Sequence, residues 1–387
     1  MSGRWNDPNG WSPSLVPDND KTDSFAVHID GADSGVSIAL ESERTVNTAD
    51  CRGAVNLRGD DRRPILRFAG SAGLANHGDL SLEQLAIIGQ ISNTSNATLT
   101  LATRGLDITG GLSNAADGVI RAVGVVDFHG GTIMNNGEIV FGDLSRVDAV
   151  PGGGVTGVTN NGILRLRGGS CVRFDRIYSE KGAIIVGTGF VQAQLSVENA
   201  GIIYAYLGNL LIDSYGSITN RGTLLNLPGS TLNLYTEDQD CVNTGTIIAK
   251  LNGGVTFIDR SAQHALINKD GGKIRLNGGT LSAPRLVQAA SATFSGFGAI
   301  DAKLVIEANA SVTLTGPTNI VGSVEIQAGA TLAITAGDIL ITGAVEGDGT
   351  IRLTGGELIL QGGISGNCQI IEAGGVYVQG LGAEQTP

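Results

Sequence analysis

Aromatic rings and lysines are scarce in this chain: 387 residues hold two Trp, six Tyr, nine Phe and six Lys. So few rings leave little with which to line a sugar-stacking cleft. Few cations, a formal net charge of −12 and a pI near 4.8 argue against nucleic acid or an anionic bilayer as partner. Four Cys spread over the chain offer no CxxC or Cys/His spacing for zinc. Nine Pro and no Gly-X-Y period exclude collagen, although 59 residues are Gly. No apolar run approaches the roughly 18 residues of a membrane-spanning helix. Met1 to Trp5 opens a polar stretch without the pattern of a signal peptide, which reads as a leader removed or an export route that needs none. Helical periodicity is nearly absent. Only 80–88 fits a helical turn, and it fits a strand equally well.

What is present is a repeat. Asn, one to three small or polar residues, Gly and an apolar strand recur at Asn76/Gly78, Asn114/Gly118, Asn135-Asn136-Gly137, Asn160-Asn161-Gly162, Asn199/Gly201, Asn220/Gly222, Asn243/Gly245 and Asn268/Gly272. The glycines are separated by 40, 19, 25, 39, 21, 23 and 27 residues, so the step is about 20 to 25 with two doubled gaps. Past residue 290 the wording changes but the step persists. Between corners lie short alternating segments such as 163–166, 231–234, 273–276 and 312–314, the signal of half-buried strands. Asn and Gly at the corners suit φ > 0, and Asn136, Asn161 and their equivalents can stack as a hydrogen-bonded ladder.

These features predict an all-β, right-handed parallel β-solenoid of roughly 16 coils with 20–25 residues each. At the spacing of neighbouring strands it would be a rod on the order of 75 Å long. Residues 1–30 lack the coil pattern and hold both Trp; with Trp5, Trp11, Pro13 and Pro17 they read as a cap or inter-subunit segment. Residues 31–380 read as continuous solenoid and 381–387 as a tail.

The opening Trp5-Asn6-Asp7-Pro8-Asn9-Gly10-Trp11 with Pro17, and the phrase Asn243-Thr244-Gly245-Thr246-Ile247, resemble secreted bacterial β-solenoid proteins, including autotransporter passenger domains and filamentous-haemagglutinin-like adhesins. That resemblance implies an extracellular or cell-surface repeat protein.

Catalytic and binding motifs are thin. Cys51, Cys171, Cys241 and Cys368 lie coils apart, too far to bridge. His28, His77, His129 and His264 fall in different coils, and no pair has metal-ligand spacing. There is no Gly-x-Ser-x-Gly elbow and no phosphate loop; Gly152-Gly153-Gly154-Val155-Thr156-Gly157 matches Gly-x-Gly-x-x-Gly without a following helix. Asp107, Asp127, Asp148, Asp175, Asp213 and Asp259 recur near strand ends, and two of them could stack on adjacent coils as glycosidase acids do. Glu237, Asp238 and Asp240 form a second acidic cluster. Asp18, Asp20 and Asp23 offer a weak calcium loop without the Gly and Glu of an EF-hand. Arg58-Gly59-Asp60 spells the integrin-binding tripeptide.

The sequence therefore favours a non-enzymatic, cofactor-free structural protein: a solenoid subunit that associates head-to-tail into a bacterial surface filament or matrix, its partner being itself. A monomeric adhesin binding cell-surface glycans or a host surface, a phage decoration or fibre protein, and a polysaccharide-acting enzyme are the alternatives.

Overall fold

The computed structural model describes residues 2–5, 7, 17, 25–60, 62–101, 105–149 and 157–379. Every regular element among them is a strand, and every strand pairing is parallel. The chain is a parallel β-solenoid of roughly 16 coils, divided into two compact units, Met1–Gln194 and Leu195–Pro387.

Each coil has three faces, formed in some coils by separate short strands and in others by a long strand that runs on through a corner, as at Ile163–Ser179 and Lys273–Gln288, and each face pairs with its counterpart one coil on. In the first unit the first face runs through 48–53, 73–76, 91–93, 112–114, 132–135, 157–160 and 176–179. The second runs through 55–58, 79–83, 98–101, 119–122, 138–141 and 163–166. The third runs through 65–67, 86–88, 106–109, 125–128, 146–149 and 171–173. The second unit repeats the scheme, its second face running through 202–205, 223–226, 246–249, 273–276 and 293–296.

The alternation predicted from sequence becomes alternation of burial. Leu99, Ile120, Ile139 and Leu164 are register partners and all point inward. Their neighbours point out. Each coil is too small to bury these side chains alone, so stacking supplies the core, at about 1.5–3 kcal/mol per Leu or Ile removed from water. Val, Ile and Leu suit a narrow layered interior, which explains the shortage of rings. Where Phe does enter, Phe128 and Phe174 meet at 6.5 Å between centroids in the first unit.

Residues 2–4 add a strand to 37–39, and Trp5 behind them is fully buried, its indole Nε1 donating to the Pro17 carbonyl at 2.9 Å. Trp11, Pro13 and the calcium candidates Asp18, Asp20 and Asp23 lie outside the described residues, as do Gly152 to Val155.

Candidate functional site

The corner after the first face carries a column of buried amides. In the first unit it is Asn76, Asn93, Asn114, Asn135 and Asn160; each Nδ2 donates to the next Oδ1 at 2.7, 2.8, 2.9 and 2.8 Å. In the second unit Asn199, Asn220, Asn243, Asn268 and Gln288 do the same at 2.8, 2.6, 2.7 and 2.7 Å. Each amide also donates to main-chain carbonyls: Asn93 Nδ2 reaches Ala97 at 3.1 Å and Val119 at 3.2 Å. A buried carbonyl left without a donor costs about 1–3 kcal/mol. The column therefore removes a penalty at every coil.

The structure corrects the predicted rungs in two places. Asn136 and Asn161 are not in the column; they sit one residue further on, exposed, where Asn161 Nδ2 donates to Asn136 Oδ1 at 2.8 Å. Asn135 and Asn160 are the buried rungs, because alternation puts them on the inward side. Asn93 fills one doubled gap and Ser179 the other, with Ser179 Oγ buried and unpartnered. Asn226 was missed altogether: it closes another corner, accepting from Lys250 N at 2.8 Å and donating to Lys250 O at 3.1 Å.

The glycines need a correction too. They were expected to supply φ > 0, yet none of Gly78, Gly118, Gly137, Gly162, Gly201, Gly222, Gly245 and Gly272 has a positive φ. Nor do they form one class. In the two-residue corners, corner backbone stacks directly on corner backbone. A Cβ on Gly78 would stand 2.3 Å from the Gly53 carbonyl oxygen, one on Gly222 2.0 Å from that of Gly201, and one on Gly245 2.2 Å from that of Gly222. Gly118 and Gly272 instead end four-residue corners, where their own amides close the turn on Ala115 O at 3.0 Å and Lys269 O at 2.9 Å. There a Cβ would strike the column as well, meeting Asn114 Oδ1 at 2.5 Å from Gly118 and Asn268 Oδ1 at 2.4 Å from Gly272, where the Asn243 backbone carbonyl oxygen is equally close at 2.4 Å. Close approach, of stacked backbone in the short corners and of the amide rung together with backbone in the long ones, is what requires glycine. Left-handed residues occur elsewhere in the longer corners, at Asn96 (φ 60°), Asp270 (φ 52°) and Asn309 (φ 62°).

The third face of the first unit brings three of the predicted carboxylates together. Asp107, Asp127 and Asp148 are register partners on successive strands and point outward. Arg63 Nη1 meets Asp107 at 3.2 Å and His129 Nε2 meets it at 3.5 Å. Asp148 is held by Arg146 Nε, with Arg173 Nη1 at 3.8 Å. Partial burial first, and the flanking Asp107 and Asp148 second, push the Asp127 carboxyl above the usual carboxylate range. Adjacent strands lie about 4.8 Å apart and alternate ones about 9.5 Å, spacings at which an acid and a base flank a glycosidic bond. Asp175 is not in register with them, since Asp148 faces Arg173.

Elsewhere the acids do structural work. Asp213 is buried against Arg260 Nη2 at 3.0 Å, and that guanidinium lies 5.4 Å from the Tyr215 ring centroid and 3.9 Å from Glu237. Burial disfavours an ionised Asp259. Its carboxylate nevertheless accepts from the His264, Gln263 and Ser261 amides and the Ser261 hydroxyl, which together hold it below its ordinary value. Asp240 accepts from Ala265 N at 2.7 Å. In Arg58-Gly59-Asp60, the Asp60 carboxylate takes the Arg62 amide at 2.9 Å and Gly59 is buried.

Two histidines predicted to be isolated converge: His28 Nδ1 lies 3.3 Å from Asp50 Oδ2 and His77 Nε2 3.4 Å from Asp50 Oδ1. Coil stacking places residues 28, 50 and 77 side by side, which sequence spacing alone did not reveal. Among the described residues no group of three or more His, Cys, Asp or Glu is arranged to hold a metal ion. All four cysteines are free thiols. Burial, then Asp50, pushes Cys51 up to about 12; burial, then Asp240, does the same to Cys241.

No protein family, curated protein or solved structure matches the chain.

Proposed function

We propose that this is a structural protein, a β-solenoid subunit that associates end-on with copies of itself in an extracellular, cell-surface filament or matrix. The carrying observation is the coil at 361–379. Its Ile364 is 37 % exposed and its Ile370 and Tyr377 are partly exposed, whereas their register partners one coil earlier, Val345, Ile351 and Leu358, are fully buried. Ile371, Val376 and Val378 are exposed as well. Among the described residues these strands pair on one side only, and an apolar layer beside such edges is a template for another coil. Because all coil pairings are parallel, a copy added head-to-tail continues the same hydrogen-bond pattern. A heterologous contact of that kind makes filaments when it does not close.

Negative-stain microscopy and sedimentation over a concentration series test this. Concentration-dependent fibres are expected, lost in Ile370→Lys and Tyr377→Lys while the melting temperature stays put. Particles that remain single at high concentration contradict the reading.

A second reading, cleavage of glycosidic bonds, draws support from the Asp107–Asp127–Asp148 stack. It requires oligosaccharide release from a glycan panel that disappears in Asp127→Asn.

A further inference from the structure

The second face of the second unit combines unpaired cations, exposed rings and threonine hydroxyls over a run of coils that carries no acid. From Ile202 to Phe297, across strands 202–205, 223–226, 246–249, 273–276 and 293–296, no outward position is Asp or Glu. This is unexpected in a chain with 37 acids and a net charge of −12. The same face of the first unit is mixed, with Asp79, Glu83 and Glu138 beside Arg58, Arg121 and Arg165.

Three cations stand on this acid-free face. Lys250 is in register with Asn277, which is in register with Phe297; Arg275 and Lys273 precede Asn277 on its strand. Among the described residues Lys250, Lys273 and Arg275 make no ion pair, whereas Lys303 meets Glu325 at 3.2 Å. Phe297, the register partner of Asn277, is 42 % exposed, and Tyr206, two coils before Lys250 on the same face, is 45 % exposed. Gly278 (φ 78°) lets Leu251 and Phe297 close over the corner, since a Cβ there would meet Leu251 Cδ1 at 3.0 Å and Phe297 Cε2 at 3.3 Å. Hydroxyls of Thr223, Thr246 and Thr293 occupy the outward positions between.

We propose that this face binds an acidic polysaccharide. Unpaired cations take its carboxylates or sulfates, exposed rings pack on its sugar planes, and threonine hydroxyls complete the hydrogen bonding. The flat parallel face, with strands about 4.8 Å apart, suits an extended polymer laid along it. Three cations on a strongly acidic protein do not make the continuous basic stripe that duplex DNA needs. A bilayer would favour a purely apolar protruding face over one interleaved with hydroxyls. The inference rests on the coil architecture and is independent of end-on assembly.

The test measures binding of the full chain to polygalacturonate, heparin and neutral dextran at low and high salt, with duplex DNA and anionic phosphatidylserine vesicles as competing probes. Binding to one or both anionic glycans is expected, weakened by salt. Lys273→Glu with Arg275→Glu should weaken it at least tenfold and Phe297→Ala about fivefold, with unchanged thermal melting. Arg121→Glu, on the same face of the first unit, should leave affinity at the wild-type value. Polygalacturonate against heparin separates carboxylate from sulfate recognition. Equal binding of dextran, tighter binding of DNA or vesicles, no glycan binding, or wild-type affinity in the double variant would each overturn the proposal.

Discussion

Corners opened by Asn76, Asn135, Asn160, Asn199, Asn220 and Asn243 turn in two residues, x-Gly, whereas those opened at Ile306 and Ile326 take four. In the short corner the chain has no room to satisfy its own bend. Asn220 Nδ2 therefore serves Gly222 O at 3.3 Å, Thr246 O at 3.2 Å and Asn243 Oδ1 at 2.6 Å. The long corner closes its own turn, Ala310 N to Glu307 O and Ala330 N to Gln327 O both at 2.9 Å, helped by left-handed Asn309 and Gly329. Once the bend is self-sufficient, the column position is free to be aliphatic, and Ile306 and Ile326 are fully buried there. A long corner permits Ile without forbidding Asn, for Asn93, Asn114 and Asn268 open four-residue corners and still join the ladder. The short corner favours the amide without requiring it, for Cys51 and Gly347 also open two-residue corners, Arg52-Gly53 and Asp348-Gly349.

The comparison is broken most severely at the glycines. Gly222→Ala places a Cβ 2.0 Å from a backbone oxygen that cannot rotate away, and should cost about 3 kcal/mol in denaturant unfolding. Gly329→Ala, in a long corner, meets only the Asn309 side-chain oxygen at 2.8 Å and its own φ of 76°. It should cost about 1 kcal/mol. Equal costs would mean that the two corner types are not distinct.

Next come the column residues. Asn220→Ala leaves the Asn243 Oδ1 and the Gly222 and Thr246 carbonyls short of a donor and should cost about 2 kcal/mol. Ile326→Val removes one methyl from a dry column and should cost about 1 kcal/mol.

The smallest effect has the opposite sign. With its carboxyl held above the ordinary value by burial and by Asp107 and Asp148, Asp127 carries its cost when ionised. Asp127→Asn should therefore stabilise the fold slightly at pH 7, by at most about 0.5 kcal/mol after solvent screening, read as a small rise in the melting midpoint. The advantage should fade as the pH falls through the carboxylate range, where wild-type Asp127 is also neutral. An advantage that grows with acid would contradict the assigned cause.

The coil step and the strand pattern were legible because Asn-x-Gly marks every short corner from Asn76 to Asn243. Rungs opened by longer corners were harder to read. Asn93 was hidden because Ala97 stands where Gly was sought, and Ser179 because it is no amide at all. Doubled asparagines at 135–136 and 160–161 concealed which one points inward; only the burial alternation of Thr132–Asn135 and Gly157–Asn160 decides it. The glycine requirement was attributed to φ because a sequence shows a corner's residues but not the backbone or the amide rung stacked against them. For the same reason Gly118 and Gly272, which end four-residue corners, read as equivalents of Gly78, which ends a two-residue one. Asp107, Asp127 and Asp148 recur at the coil step, so their stacking could be anticipated. The meeting of His28 and His77 on Asp50 could not, because the coils of His28 and Asp50 lack the Asn-x-Gly marker that places His77. The acid-free face emerges only when outward positions of one face are collected coil by coil.

Side-chain amide exchange and contacts by NMR probe the stacked column most directly. The account predicts slowly exchanging Nδ2 protons at Asn199, Asn220, Asn243 and Asn268, with contacts linking each to the next, while Asn161 exchanges fast. Random-coil exchange at all of these positions, with no contacts from one rung to the next, would contradict it.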